Sequence, residues 1–364
     1  MTQRIQTIDG LRFLAAIGVL WIHSWTFHGN PQCRIGPVEL TNVLAIGGNG
    51  VDLFFVISGF CMYYFYASKS EFSYHDFYRF IIKRWVRLSP AFYAAGIGYV
   101  LVNKWVYGTD NIDALLKLLN NVFYLNSVLP QYNAAAHFWT LGVEWQFYFT
   151  IPFLLIYQNS IGFKKTFLII FGLLFLLAIV SVLVLKNQSD LLTNQLLFRG
   201  IEFGFGIIAA RLLLKNASFF ASRMLWLILF IVVTYAGRVL ISKPVLNLSD
   251  DYYNLFKLLG FTFMSAGFAG ILYLSVTSVK WLNLILGNRL FKTMGRISYS
   301  FYLWHGLIQP LIAGYTIKYM PFAKGITAPV ITTMVSAIIL YPISQLSYHI
   351  LEKPFLYIGN LTSK

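Results

Sequence analysis

The sequence predicts an all-α fold: a polytopic bundle of about ten transmembrane helices with both termini in the cytoplasm. Three observations predict it. First, 58% of the 364 residues are hydrophobic and only 11% are charged, against about 25% charged in soluble domains. Second, the apolar residues come in repeated blocks near the length that a helix needs to cross a bilayer. Third, Lys and Arg cluster in alternate loops, which is the positive-inside pattern. Together with a mean hydropathy of +0.66, they exclude a soluble globular protein and point to one membrane-embedded domain over residues 1–364.

The apolar blocks run roughly over 8–27, 48–67, 90–107, 138–157, 166–185, 194–214, 223–241, 255–277, 294–316 and 327–350. No small-residue cleavage site follows the first block, so it reads as an uncleaved span rather than a signal peptide. The connection from Phe27 to Asn49 contains Pro31, Pro37 and the pair Gly47-Gly48, and reads as irregular backbone. After the second block comes a basic cytoplasmic loop with Lys69, Arg79, Lys83, Arg84 and Arg87. The connection from Gly108 to His137 holds Ile112, Leu115, Leu116, Leu119 and Val122 at helical spacing, which suits a helix lying along the membrane interface. With the N-terminus inside, the cytoplasmic loops and tails hold 18 of the 28 basic residues, from Arg4 and Arg12 to Lys353 and Lys364. The net charge of +15 therefore orients the protein and is not a nucleic-acid signal. Cys33 and Cys61 fall at different depths, which argues against a disulfide, and neither has metal-ligand spacing. No internal repeat of the inverted-repeat transporter kind is visible.

Ionisable residues inside spans are costly and by default face the bundle interior, where they do work. The first span carries Arg12 and His23, about three turns apart on nearly the same face. His23 read alone is equally a packed histidine bonded to a neighbouring helix. Asp52 opens the second span at the level that His23 reaches, and a carboxylate there would fix the imidazole tautomer and raise its basicity. Ser58 lies deeper in that span, as a hydrogen-bond donor or simply satisfying a backbone carbonyl. Arg84 and Arg87, three residues apart, make a fork for a phosphate if the segment is helical, or anchor the protein to lipid headgroups. Glu144 stands among aromatics in the fourth span with no basic residue close in sequence, so it is either paired across helices or protonated. His305, near the middle of the ninth span, is a further candidate.

In combination these residues resemble the acyltransferase-3 family of integral membrane acyltransferases. The marks are Arg12 and His23 with ten residues between them, Phe54-Phe55-Val56-Ile57-Ser58-Gly59, and Arg84-Trp85-Val86-Arg87. Later marks are Trp139-Thr140-Leu141 leading to Glu144, the block from Ser298 to His305, and Glu352-Lys353-Pro354. Thr140 stands where the family more usually has serine. The resemblance implies transfer of an acyl group, usually acetyl, from cytoplasmic acyl-CoA to a hydroxyl of a cell-surface carbohydrate or its lipid-linked precursor. It also implies a multi-pass protein of the bacterial inner membrane, and the short C-terminal tail implies no appended esterase-like domain.

On this reading His23, oriented by Asp52 or Glu144, deprotonates the acceptor hydroxyl. Arg12, Arg84 and Arg87, with Ser58, bind the acetyl-CoA co-substrate, and no metal takes part. An acyl-enzyme route through His23 or Ser58 stays open. The competing class is a transporter or flippase with His23, Glu144 and Asp52 as a proton relay. A non-catalytic scaffold would leave the intramembrane polar residues unexplained.

Overall fold

The computed structural model describes residues 5–36, 38–67, 72–186, 192–215, 222–242, 250–277 and 280–356. Arg4, Pro37, Lys69 and Lys364, which the sequence reading places in loops and tails, lie outside the described residues. Among the described residues, the regular structure is helical apart from one two-residue antiparallel pair, β1 (Arg34–Ile35) and β2 (Val38–Glu39). Beside that pair, hydrogen bonds from Thr41 and Arg34 hold the Glu39 carboxyl down to about 2.

In chain order the helices are α1 (Gln6–Phe27), α2 (Thr41–Ala45), α3 (Gly50–Tyr66), α4 (Tyr74–Tyr107) and α5 (Asn111–Val122). They continue with α6 (Trp139–Tyr157), α7 (Phe163–Phe167), α8 (Leu173–Leu185), α9 (Leu196–Leu214) and α10 (Arg223–Ile241). The last are α11 (Asp250–Thr277), α12 (Lys280–Leu286), α13 (Arg289–Arg296), α14 (Ser298–Tyr319) and α15 (Thr327–Ser347).

About ten spans are expected from the apolar blocks. Among the described residues, seven helical stretches are long and apolar enough to cross a membrane. One of them, Ala136–Leu185, contains two expected blocks, separated at Gly162 by a φ of 85° that glycine adopts without a Cβ clash. The blocks at 194–214 and 294–316 are also helical, as α9 and α14, but are more polar. The first carries Arg199, Glu202 and Arg211, and the second His305 and Gln309. The basic segment expected to be a loop is helix as well. Ser73 and Asp76 form a capping box that starts α4 sixteen residues before the apolar block at 90.

The chain divides into two compact units. The first comprises residues 1–22, 31–72 and 150–296. Within it, α3 and α9 cross with almost no space between backbones. A Cβ built on Gly59 would lie 2.2 Å from the Phe203 carbonyl oxygen, and one on Gly206 would lie 2.0 Å from that of Val56. Small residues at a membrane helix crossing let dispersion contacts replace the hydrophobic drive that lipid removes. Gly206→Ala is expected to destabilise the protein by about 1–3 kcal/mol through overpacking. Thermal unfolding in detergent would show this as a lowered midpoint, and an unchanged midpoint would contradict the crossing.

The second unit comprises residues 23–30, 73–149 and 297–364. Phe92 of α4 packs its ring 4.7 Å from Tyr124 and 5.0 Å from Phe138. The loop after α5 is held by its own asparagines. Asn120 donates to the Tyr132 carbonyl at 3.1 Å and to Asn133 Oδ1 at 3.0 Å, and Asn121 donates to the Phe92 carbonyl at 3.2 Å. These bonds fix the approach of the chain to His137. As the sequence predicts, α5 carries an apolar face: Ile112, Leu115, Leu119 and Val122 are all exposed.

Candidate active site

Three histidines meet in the second unit. His23 lies one turn before the end of α1, His305 lies in α14, and His137 sits in the single turn Ala136–Phe138 that leads into α6. The ring centroids of His23 and His305 are 5.2 Å apart, and those of His305 and His137 are 4.3 Å apart. His305 is buried, whereas His23 is only half-buried. His305 Nδ1 lies 2.5 Å from the Tyr302 carbonyl oxygen. A carbonyl only accepts, so Nδ1 carries the proton, and in the neutral ring Nε2 keeps its lone pair. The Tyr302 hydroxyl donates to the His137 carbonyl at 2.8 Å and lies 2.8 Å from Thr140 Oγ1. His137 Nε2 is buried and makes no hydrogen bond among the described residues. This arrangement brings three imidazoles side by side, and a neutral imidazole has an acceptor nitrogen that suits proton abstraction from a hydroxyl.

Glu144 lies one turn after Thr140 on α6 and accepts a hydrogen bond from Tyr148, one turn further on. The sequence shows no basic residue near it, but the fold supplies two from α4. Arg84 and Arg87 both stand close enough to Tyr148 to act on it electrostatically. Phe80 joins them: the Arg84 guanidinium lies 5.5 Å from its ring centroid, and its ring packs edge-on against Tyr148 at 6.1 Å. Arg87 also acts on Glu352, whose buried carboxyl accepts from Ser300. Ser300 lies 2.8 Å from Ser347 Oγ, which accepts the Trp304 indole N–H at 3.0 Å. The arginine pair is therefore carried on a helix, between the half-buried Glu144 and the buried Glu352.

The remaining sequence-predicted residues lie in the first unit. Asp52 is 2% exposed, and its two oxygens are engaged by Arg199 Nη1 at 2.8 Å and Asn49 Nδ2 at 2.9 Å. Its ion-pair partner is thus an arginine of its own unit. Arg199 Nη1 also reaches Glu202 Oε1 at 2.5 Å, and the guanidinium lies 3.7 Å from the Phe261 ring centroid. Arg12 contacts Asp9 at 3.7 Å and donates to Cys61 Sγ at 3.6 Å. Ser58 is buried within α3 beside Gly59.

Sequence reasoning missed His137, Arg199 and Glu202 as parts of these clusters. The second pair had a visible signal, opposite charges three residues apart inside an apolar block. His137 had none, because it falls at the edge of its block. Among the described residues, no group of three or more His, Cys, Asp or Glu is arranged to hold a metal ion.

Comparison with known proteins gives the family. The family model described as "Acyltransferase domain" matches residues 5–348, nearly the whole chain. ORF330 of Acidianus two-tailed virus, provisionally named an acetyltransferase, is 26% identical over 84% of this chain and 83% of its own length. A provisionally named O-acetyltransferase of Staphylococcus aureus strain COL is 26% identical over 96% of this chain and 57% of its own. The O-acetyltransferase OatA of Staphylococcus aureus strain NCTC 8325 is 24% identical over 95% of this chain. The chain spans little more than half the length of these staphylococcal relatives, 56% in the case of OatA. No solved structure matches it. With a family match over so much of a helical membrane bundle, this chain belongs to the acyltransferase family and is an enzyme that transfers acyl groups.

Proposed function

We propose that this enzyme is an O-acetyltransferase of the bacterial inner membrane, with both termini cytoplasmic. It moves acetyl from cytoplasmic acetyl-CoA to a hydroxyl of a cell-surface carbohydrate or its lipid-linked precursor. The observation that carries this reading is the histidine cluster, in which His23 is half-buried beside a buried His305 of fixed tautomer. The acetyltransferase names of the relatives supply the acyl group.

In the proposed reaction His23 takes the proton of the acceptor hydroxyl while its oxygen attacks the thioester carbonyl. The C–O bond forms, the C–S bond breaks, and CoA leaves as the thiolate. Arg84 and Arg87 hold anionic phosphate groups of the donor, since guanidinium forks match phosphate oxygens. Arg12 is kept as a further ligand of the donor phosphates. Glu144 and Tyr148 set the charge around the arginine fork, which takes over from the orienting role expected for Glu144. Asp52, bonded to Arg199, belongs to the support of the first unit.

Labelled acetyl-CoA added to membranes holding the protein and the host's own glycans tests the reading. Label should reach glycan only when the protein is present, and transport of glycan with no need of acetyl-CoA would favour the transporter instead. Arg84→Gln or Arg87→Gln should raise the KM for acetyl-CoA about tenfold or more, the loss of one charge-assisted hydrogen bond of about 1.5–3 kcal/mol. An unchanged KM in both variants would remove the fork from donor binding.

A further inference from the structure

The second unit contains a line of buried polar residues that the transfer chemistry leaves unused. On α14, His305, Gln309, Ala313 and Thr316 follow one another at helical spacing on one face. Gln309, 0% exposed, donates to Ser24 Oγ at 2.6 Å. Thr316 accepts from Thr332 of α15 at 3.2 Å, and Thr332 lies 2.8 Å from His28 Nε2, where the chain leaves α1. The contacts Ser300–Ser347 and Thr316–Thr332 set α14 and α15 antiparallel. Ser336 therefore faces the stretch between Gln309 and Thr316. Its hydroxyl oxygen is buried and has no partner among the described residues.

Interhelical hydrogen bonds alone would make this line structural glue. The orphaned Ser336 hydroxyl does not fit that account, because a buried hydroxyl left unbonded costs free energy that packing does not return. Water is the partner that fits a buried hydroxyl left without a protein partner in a line of other polar groups. The geometry points to a hydrated proton path that runs from His305 past Gln309, Ser336 and Thr316 to His28 at the end of the unit.

The inference rests on His23 as the base. Transfer takes one proton from the acceptor hydroxyl onto His23, and the departing CoA thiolate takes one from the cytoplasm. The proton on His23 then leaves through His305 and the path, so no net charge remains on the enzyme. The titratable groups that face this route are His23, His137 and Tyr302 around His305, with Tyr99 of α4 against His137; His28 faces the Thr332 hydroxyl at the far end.

Silver ion, which travels with water and binds thiols, tests the hydration. In a background with Cys33→Ser and Cys61→Ser, intact membranes carrying Ser336→Cys or Ile338→Cys are exposed briefly to silver nitrate. The protein is then denatured and its remaining thiol is counted with a maleimide. Silver should protect Ser336→Cys severalfold faster than Ile338→Cys, whose native side chain is 72% exposed on the outer surface of the bundle. Equal protection would overturn the path. This arm needs no acyl transfer, so it stands or falls apart from the assignment of His23.

The proton role is read in right-side-out vesicles loaded with labelled acetyl-CoA at fixed internal pH. Transfer to the vesicles' own glycan should slow as external pH falls, because the base then fills with protons from outside. Gln309→Leu should flatten that dependence severalfold. A wild-type rate indifferent to external pH would overturn proton exit by this route.

Discussion

Replacing His23 with alanine is expected to lower acetyl transfer by about 10²- to 10⁴-fold, the usual contribution of one general base. The loss should fall on kcat, with the KM for acetyl-CoA little changed, because the arginine fork that takes the donor phosphates lies on α4 and the His23 imidazole acts on the acceptor hydroxyl. His23→Gln keeps volume and polarity without a basic nitrogen, so it should be nearly as inactive as alanine while unfolding at the wild-type temperature. That pairing separates lost chemistry from lost packing. His305→Gln provides a second comparison, since His305 is buried and hydrogen-bonded whereas His23 is half-buried. It should retain more activity than His23→Gln and unfold earlier. Equal transfer by wild type and His23→Gln would move the base to His305 or Glu144. Label bound covalently to the wild-type protein in the absence of acceptor would replace direct transfer with an acyl-enzyme.

The residues that the sequence exposed most clearly are those whose burial is expensive. His23, Glu144 and His305 stand out because an ionisable group inside an apolar block needs a reason to be there. All three lie in the second unit, and two of them touch. The helices were legible for the same reason, since a chain in hydrocarbon must satisfy its backbone internally and apolar blocks have few other folds. What the blocks hid was polar helix. The start of α4 is too charged to register as a span, although Ser73 followed by Asp76 is a capping box that marks a helix start. Partners were the least legible. Asp52 and His23 reach the same expected level in consecutive spans, which made them look like a pair. The actual partner, Arg199, is 147 residues away in sequence, and helical periodicity carries no information on which helices touch.

The second large effect concerns that partner. Arg199→Leu is expected to destabilise the protein by about 3–5 kcal/mol, the cost of breaking a buried ion pair from one side. Arg199, Asp52 and Glu202 are 6%, 2% and 0% exposed, and one guanidinium nitrogen reaches both carboxylates. Glu202 Oε2 makes no hydrogen bond among the described residues, so the cluster already holds more acid than its donors satisfy. Removing the arginine leaves two acids packed together in a medium that penalises even one. Asp52→Asn removes a charge yet keeps a polar group of the same shape, so its cost should be smaller. The triple change of Arg199→Leu, Asp52→Asn and Glu202→Gln should recover much of the loss, as neutral replacements of whole buried clusters tend to do. Thermal unfolding in one detergent orders the four proteins. Kinetics then decide the meaning of Asp52. If it supports the first unit, Asp52→Asn lowers the unfolding temperature and leaves the pH profile of kcat where it was. A shifted pH profile with unchanged stability would return Asp52 to the side of His23, where its position in the sequence first suggested it.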